Sequence, residues 1–197
     1  MDTLILVDSI QAVPDDWSPK LVMCGKVLLE ENTARSFEEM RKCAEKEGIG
    51  LRVFSGYRPA GYQKELFMQS VYGYMSEGLS ESDARALTAR YLAKPGHSEH
   101  QTGLACDICR QDADDADESF SKTKESVWLH DNAYRFGFIL RYPRMKEHIT
   151  GIAYEPWHYR YVGEKHAGNI MKRGITLEEY LYYSPFENSI VKSLTID

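Results

Sequence analysis

Two short clusters, far apart in the chain, each hold groups of little chemical use alone: Ser98-Glu99-His100-Gln101-Thr102-Gly103-Leu104-Ala105-Cys106-Asp107 and Glu155-Pro156-Trp157-His158. Any fold that gives them a common purpose must bring both to one point. The donor types favour a metal ion. Two imidazoles and a carboxylate, from His100, His158 and Asp107, leave one position of a tetrahedral zinc site open, as in catalytic rather than closed structural sites.

Strand parity sharpens this constraint. Leu104, Cys106 and Ile108 alternate with Gly103, Ala105 and Asp107, so the apolar set faces a core and Asp107 faces a cleft. His100 lies an odd number of positions before Asp107, so the chain must bend around Thr102-Gly103 for both to reach one ion, and glycine permits that bend. In the second cluster Pro156 disfavours helical geometry at Glu155, which excludes the helical HExxH arrangement. From there the chain alternates, with Trp157, Tyr159 and Tyr161 on one face and His158, Arg160 and Val162 on the other. His158 can then join His100 and Asp107 across adjacent strands, and Glu155 enters from the turn as a natural general base.

The remaining pattern is that of an α+β chain with a small, mainly antiparallel central sheet and flanking helices, expected to form one domain over residues 1–197. A helix is predicted from about Asn32 to Glu47, with Phe37, Met40 and Ala44 on one stripe and Gly48 as its stop. Leu51 to Phe54 reads as a strand. Ser55-Gly56-Tyr57-Arg58-Pro59 reads as a turn, in which Pro59 opens a helix carrying Tyr62, Leu66, Phe67 and Val71 inward. A further helix is expected near Ser82 to Leu92, a strand at Phe138 to Tyr142, and turn material from Pro143 to Gly151.

With 30 Asp+Glu against 24 Lys+Arg the formal charge is -6, which argues against a nucleic-acid partner. Met1-Asp2-Thr3-Leu4-Ile5-Leu6-Val7-Asp8 holds an apolar run too short for a signal segment or a membrane span, so a cytoplasmic protein is expected. Cys24, Cys43, Cys106 and Cys109 show no framework spacing and are expected to be reduced there. Cys106 and Cys109 form a CxxC, but on a strand they point to opposite faces, and no second CxxC accompanies them. Buried core thiols are the simpler reading.

The Ser-x-His-x6-Asp signature with Glu-Pro-Trp-His, preceded by Ser55-Gly56-Tyr57-Arg58-Pro59, resembles the zinc D-alanyl-D-alanine peptidases of the VanX and VanY group. The likeness runs from about Leu51 to Gly163. It is similar above all to the bifunctional VanXY type, through Pro95 to Gln101 and Tyr154 to Gly163. The resemblance implies the hedgehog/D,D-peptidase type of fold, one zinc ion per chain held by His100, Asp107 and His158, and Glu155 as catalytic base. It implies that Arg58 stabilises the oxyanion, and that Ser98 and Gln63 help to hold the substrate. The implied substrates are D-alanyl-D-alanine and the cytoplasmic peptidoglycan precursor UDP-MurNAc-pentapeptide, whose trimming confers vancomycin resistance. Two other readings share these motifs: an L,D-carboxypeptidase or cell-wall endopeptidase, and a non-catalytic zinc module of the hedgehog kind.

His97 is read as lining the cleft rather than binding metal, and His130, His148 and His166 as surface or partly buried side chains. The acidic run Gln111 to Glu118 follows the Asp107 strand directly. Together with Pro143 to Gly151 it is expected to border the cleft and to sort dipeptide from longer substrate.

Overall fold

The computed structural model describes residues 2–183. A hairpin comes first, β1 (Leu21–Cys24) against β2 (Val27–Glu30), followed by α1 (Glu31–Lys46) and β3 (Leu51–Ser55). Two helices follow, α2 (Ala60–Ser76) and α3 (Glu81–Thr88), then β4 (Ala105–Arg110) and α4 (Lys124–Asn132). The last elements are β5 (Phe138–Leu140), the short α5 (Glu147–Thr150), β6 (His158–Tyr161) and α6 (Glu164–Arg173). Four strands form one antiparallel sheet in the order β3-β4-β6-β5. The strands that carry Asp107 and His158 therefore lie side by side at its centre.

One face of this sheet packs on α1. Phe37, Met40 and Ala44, spaced three and four apart, meet Leu51, Val53, Cys106, Ile108 and Tyr159, each large side chain contributing on the order of 2 kcal/mol by leaving water. The helix starts where Glu30 accepts from the backbone N–H groups of Asn32 and Thr33 at 2.9 and 3.0 Å, filling the N-cap role usually taken by a shorter side chain. Ile139 of β5 joins Val162, Ala167 and Ile170 in a second cluster around α6. A third, of Phe67, Val71 and Ala84, fastens α2 to α3.

Several boundaries differ from the sequence expectation. The helix expected from Ser82 to Leu92 ends at Thr88, and its N-cap is Ser80, which accepts from the Asp83 N–H at 3.2 Å. Tyr62, expected inward, is 49% exposed, because the buried face of α2 is the series Gln63, Phe67 and Val71, spaced four apart. Residues 143–151, expected as turn material, contain α5. Among the described residues no helix is long and apolar enough to cross a membrane.

Candidate metal centre and active site

Asp107 sits opposite His158 in the β4–β6 register and opposite Ser55 in the β3–β4 register. Its neighbours Cys106 and Ile108 point into the α1 core, so alternation turns Asp107 and His158 to the other face. His100 reaches the same place from a 3-10 turn over Glu99–Thr102, which Gly103 ends at φ 74°. A side chain at Gly103 would also crowd the Glu30 backbone nitrogen at 3.1 Å. The expected bend at Thr102-Gly103 is thus the way His100 turns back over the sheet.

The imidazole of His100 is fixed by a carbonyl. Its Nδ1 lies 2.7 Å from the Gly56 oxygen, which can only accept, so Nδ1 carries the proton and Nε2 is left with a free lone pair. Gly56 makes this approach possible, because a Cβ there would collide with the Leu28 carbonyl oxygen. The freed Nε2 is 3.2 Å from Asp107 Oδ2, and His158 Nδ1 is 3.1 Å from Asp107 Oδ1. One ligand atom from each of the three residues lies within 4.8 Å of the others, and all three residues are buried. His100 Nε2 and Asp107 Oδ1 have no hydrogen-bond partner among the described residues. Buried polar atoms are rarely left so, and two imidazoles with a carboxylate fit a zinc ion between them.

Electrostatics suits this fit at His100 and Asp107. Burial lowers the His100 pKa to about 4, with Arg58 adding to the effect and Asp107 opposing it, so the ring is neutral and able to ligate. Burial would raise Asp107, but His100 and His158 outweigh it and hold the carboxyl well below the usual carboxylate range. Burial would also lower His158, yet its contacts with Asp107 and Glu99 raise it to about 9, so an ion taken up here displaces a proton from this ring.

Glu155 and Arg58 flank the triad. Glu155 Oε2 is 3.5 Å from His158 Nδ1, placed by a turn in which the Glu155 N–H donates to the Tyr142 carbonyl at 3.2 Å. Burial pushes its carboxyl up to about 8, His158 and Arg58 opposing and Asp107 and Glu99 adding. Such a group accepts and returns protons near neutrality. Arg58 Nη2 is 4.0 Å from Asp107 Oδ2, and the Arg58 N–H donates to the His100 carbonyl at 3.1 Å. These groups line a cleft of about 140 Å³ together with Tyr91, Leu92, Ala93, Ile152 and Trp157. The Ala153 N–H donates to the Arg90 carbonyl at 2.7 Å, joining the segments that carry Tyr91 and Ile152.

Ser98 is buried and lines this cleft. Gln63 does not line it: buried in α2, it donates from Nε2 to the Ala93 carbonyl at 2.7 Å and so reaches the cleft through its wall. His97 is turned away, with Nδ1 2.7 Å from the Asp8 carbonyl. None of residues 111–118 or 143–151 lines the cleft. The acidic run leaves β4 at the Arg110 end, past Asp107, where Asp114 pairs with Arg52 at 2.7 Å. The sequence reading missed Glu99, which is buried behind His158 with Arg141 and Arg160.

A family model described as VanY, D-alanyl-D-alanine carboxypeptidase, matches residues 26–164. The chain belongs to the VanY family. Among related proteins, the bifunctional D-Ala-D-Ala dipeptidase and D-Ala-D-Ala carboxypeptidase VanXYC of Enterococcus gallinarum is 34% identical to it, over 93% of this chain and 95% of its own length. The crystal structure of a mutant vancomycin resistance D,D-pentapeptidase VanY, from a VanB-type cassette and in complex with Zn(II), superposes with a TM-score of 0.83. It is 36% identical, over 92% of this chain and 99% of that one. The LdcB LD-carboxypeptidase superposes at 0.80 and 38% identity, over 91% of this chain and 86% of that one. The small antiparallel sheet with flanking helices is thus the VanY and LdcB type of α+β fold. Against the first three curated relatives that it matches, the chain spans about half to two thirds of their length.

Proposed function

We propose that this VanY-family chain, acting as one catalytic domain over residues 1–197, is a zinc-dependent D,D-peptidase. It hydrolyses D-alanyl-D-alanine and removes the terminal D-alanine of UDP-MurNAc-pentapeptide, and so contributes to vancomycin resistance. The observation that carries this reading is the placement of Glu155 and Arg58, one carboxyl pushed toward neutrality and one guanidinium, at opposite partners of the His100, Asp107 and His158 cluster. A module that only bound zinc would need neither group. Four free cysteines fit a reducing cytoplasm, and the dipeptidase and carboxypeptidase activities named for VanXYC support cleavage of the dipeptide and removal of a terminal D-alanine.

A zinc ion held by His100, Asp107 and His158 would supply Lewis acidity, acidifying water and polarising the scissile carbonyl. Glu155 accepts the proton of the attacking water and later returns it to the leaving amine. Arg58 donates to the carbonyl oxygen as negative charge grows on it, a role worth a few kcal/mol in comparable sites, about 100-fold or more in rate. Ser98, which lines the cleft, and Gln63, through the Ala93 carbonyl, orient the substrate backbone.

The likeness to LdcB favours a second reading, hydrolysis of an L,D bond before a terminal D-alanine. One experiment separates the two: D-alanine release by the zinc-loaded protein from D-alanyl-D-alanine, UDP-MurNAc-pentapeptide and a tetrapeptide ending L-Lys-D-Ala, each with a chelator control. Chelator-sensitive release from the first two supports the proposal, and release from the tetrapeptide alone replaces it with the L,D reading. No release from any of the three refutes both.

A further inference from the structure

Glu99 carries a fully buried charge that the hydrolytic steps above do not use. Its Oε1 accepts from Arg141 Nε at 2.8 Å and from Arg160 Nη1 at 2.6 Å. Arg141 forks onto Glu178 at 2.6 and 3.0 Å, and Arg160 Nη2 donates to the carbonyls of Thr3 and Ile5. The other oxygen, Oε2, has no hydrogen-bond partner among the described residues, and neither has His158 Nε2. These two atoms face each other across 3.5 Å.

We propose that Glu99 is a positioning residue for His158: it accepts the Nε2 proton, fixing the tautomer that presents Nδ1 to the metal. This role rests on the reading of His100, Asp107 and His158 as a metal centre. Only Nδ1 of His158 faces Asp107 and Glu155, so only Nδ1 can ligate. A neutral imidazole protonated there could not do so, and an acceptor at Nε2 removes that alternative.

The clamp travels with the ligand. Arg160 is two residues along β6 from His158 and on the same face, and the Arg141 N–H donates to the His158 carbonyl at 3.2 Å. Two guanidinium groups this close to a divalent cation would oppose it, and Glu99 with Glu178 balances both charges. The cluster is therefore neutral, and its one carboxylate oxygen without an arginine partner is the one turned to the ring.

The test measures zinc affinity, by competition with a chromophoric chelator, and the absorption spectrum after Co(II) substitution, for wild type, Glu99→Asp, Glu99→Gln and Glu178→Gln. Glu99→Asp keeps the charge between the arginines but withdraws it from the ring by one methylene. Both Glu99 variants should bind zinc about 10- to 100-fold more weakly and shift the Co(II) bands, whereas Glu178→Gln, which touches the clamp but not the ring, should do neither to that extent. Folded Glu99 variants with wild-type affinity and bands would overturn the role, as would a loss in Glu178→Gln as large as in Glu99→Asp. Should the Glu99 variants not fold, imidazole 15N spectra of the zinc-loaded wild type decide, with Nε2 protonated and Nδ1 metal-shifted as the expected pattern and the reverse overturning it. A wild type that binds no zinc would refute the metal centre itself, and this role with it.

Discussion

His158 Nδ1 lies 3.1 Å from Asp107 Oδ1 because the two residues are direct cross-strand partners on β6 and β4. A slip of one residue in that register would turn one of them into the α1 core. Two of the three candidate ligands are therefore set by sheet pairing, and the third by a carbonyl contact at Gly56. This architecture should exist before any ion arrives. Chelation should abolish turnover and leave a cooperative unfolding transition, read by circular dichroism, and an unfolded chelated protein would contradict the assignment.

Glu155→Ala should retain zinc at wild-type stoichiometry and lose about 100-fold or more in kcat, within the range of general acid-base groups. Metal analysis alongside steady-state kinetics checks this. A zinc-loaded variant turning over near the wild-type rate would remove Glu155 from proton transfer.

Arg58→Ala should lower kcat by about 100-fold with a smaller change in KM, as expected of a group that acts on developing charge. Arg58→Lys should recover only part of this, since an ammonium lacks the planar fork of the guanidinium. A rise in KM alone would mark Arg58 as a ground-state binding group.

Shortening the 111–118 run should leave the ratio of dipeptidase to carboxypeptidase activity unchanged. The run departs from the far end of β4 and is anchored by Asp114 on Arg52, and none of it lines the cleft. A shifted ratio, measured on both substrates, would return this loop to the cleft rim.

Alkaline stability should report Cys24. Burial, with Glu38 adding and Arg41 opposing, raises its thiol from the ordinary value of 9.0 to about 12. Unfolding lets the thiol ionise, so its contribution is complete below about pH 9 and is lost as the pH rises towards about 12. In urea titrations Cys24→Ala should therefore lose less stability than wild type between about pH 8 and pH 10.5. Parallel curves would place Cys24 in a more hydrated setting.

The cleft-facing directions of Asp107 and His158 were legible in the sequence because short-range parity dictates where they point. Alternation placed Asp107 opposite the face of Cys106 and Ile108, and glycine marked the bend at 103. The β1–β2 hairpin went unread, because Leu21 to Leu29 is a nearly continuous apolar run. Its only punctuation is the Gly25-Lys26 turn, and its strands are four residues long. Glu99 was invisible for a different reason. Beside a ligand histidine a glutamate looks like a solvated neighbour, and its partners Arg141 and Arg160 lie 42 and 61 positions away. No local pattern announces a charge that is neutralised only in three dimensions.

The hydrogen bond from Ala153 to the Arg90 carbonyl bears on how such a cleft can change. It joins the segment after α3 to the segment before Glu155, and neither belongs to the sheet that carries Asp107 and His158. These lining segments are a separate fitting seated on a fixed bench. Residues 91–93 and 152 can be exchanged to admit a different chain end while the β4–β6 register goes on holding Asp107 and His158 in the same place.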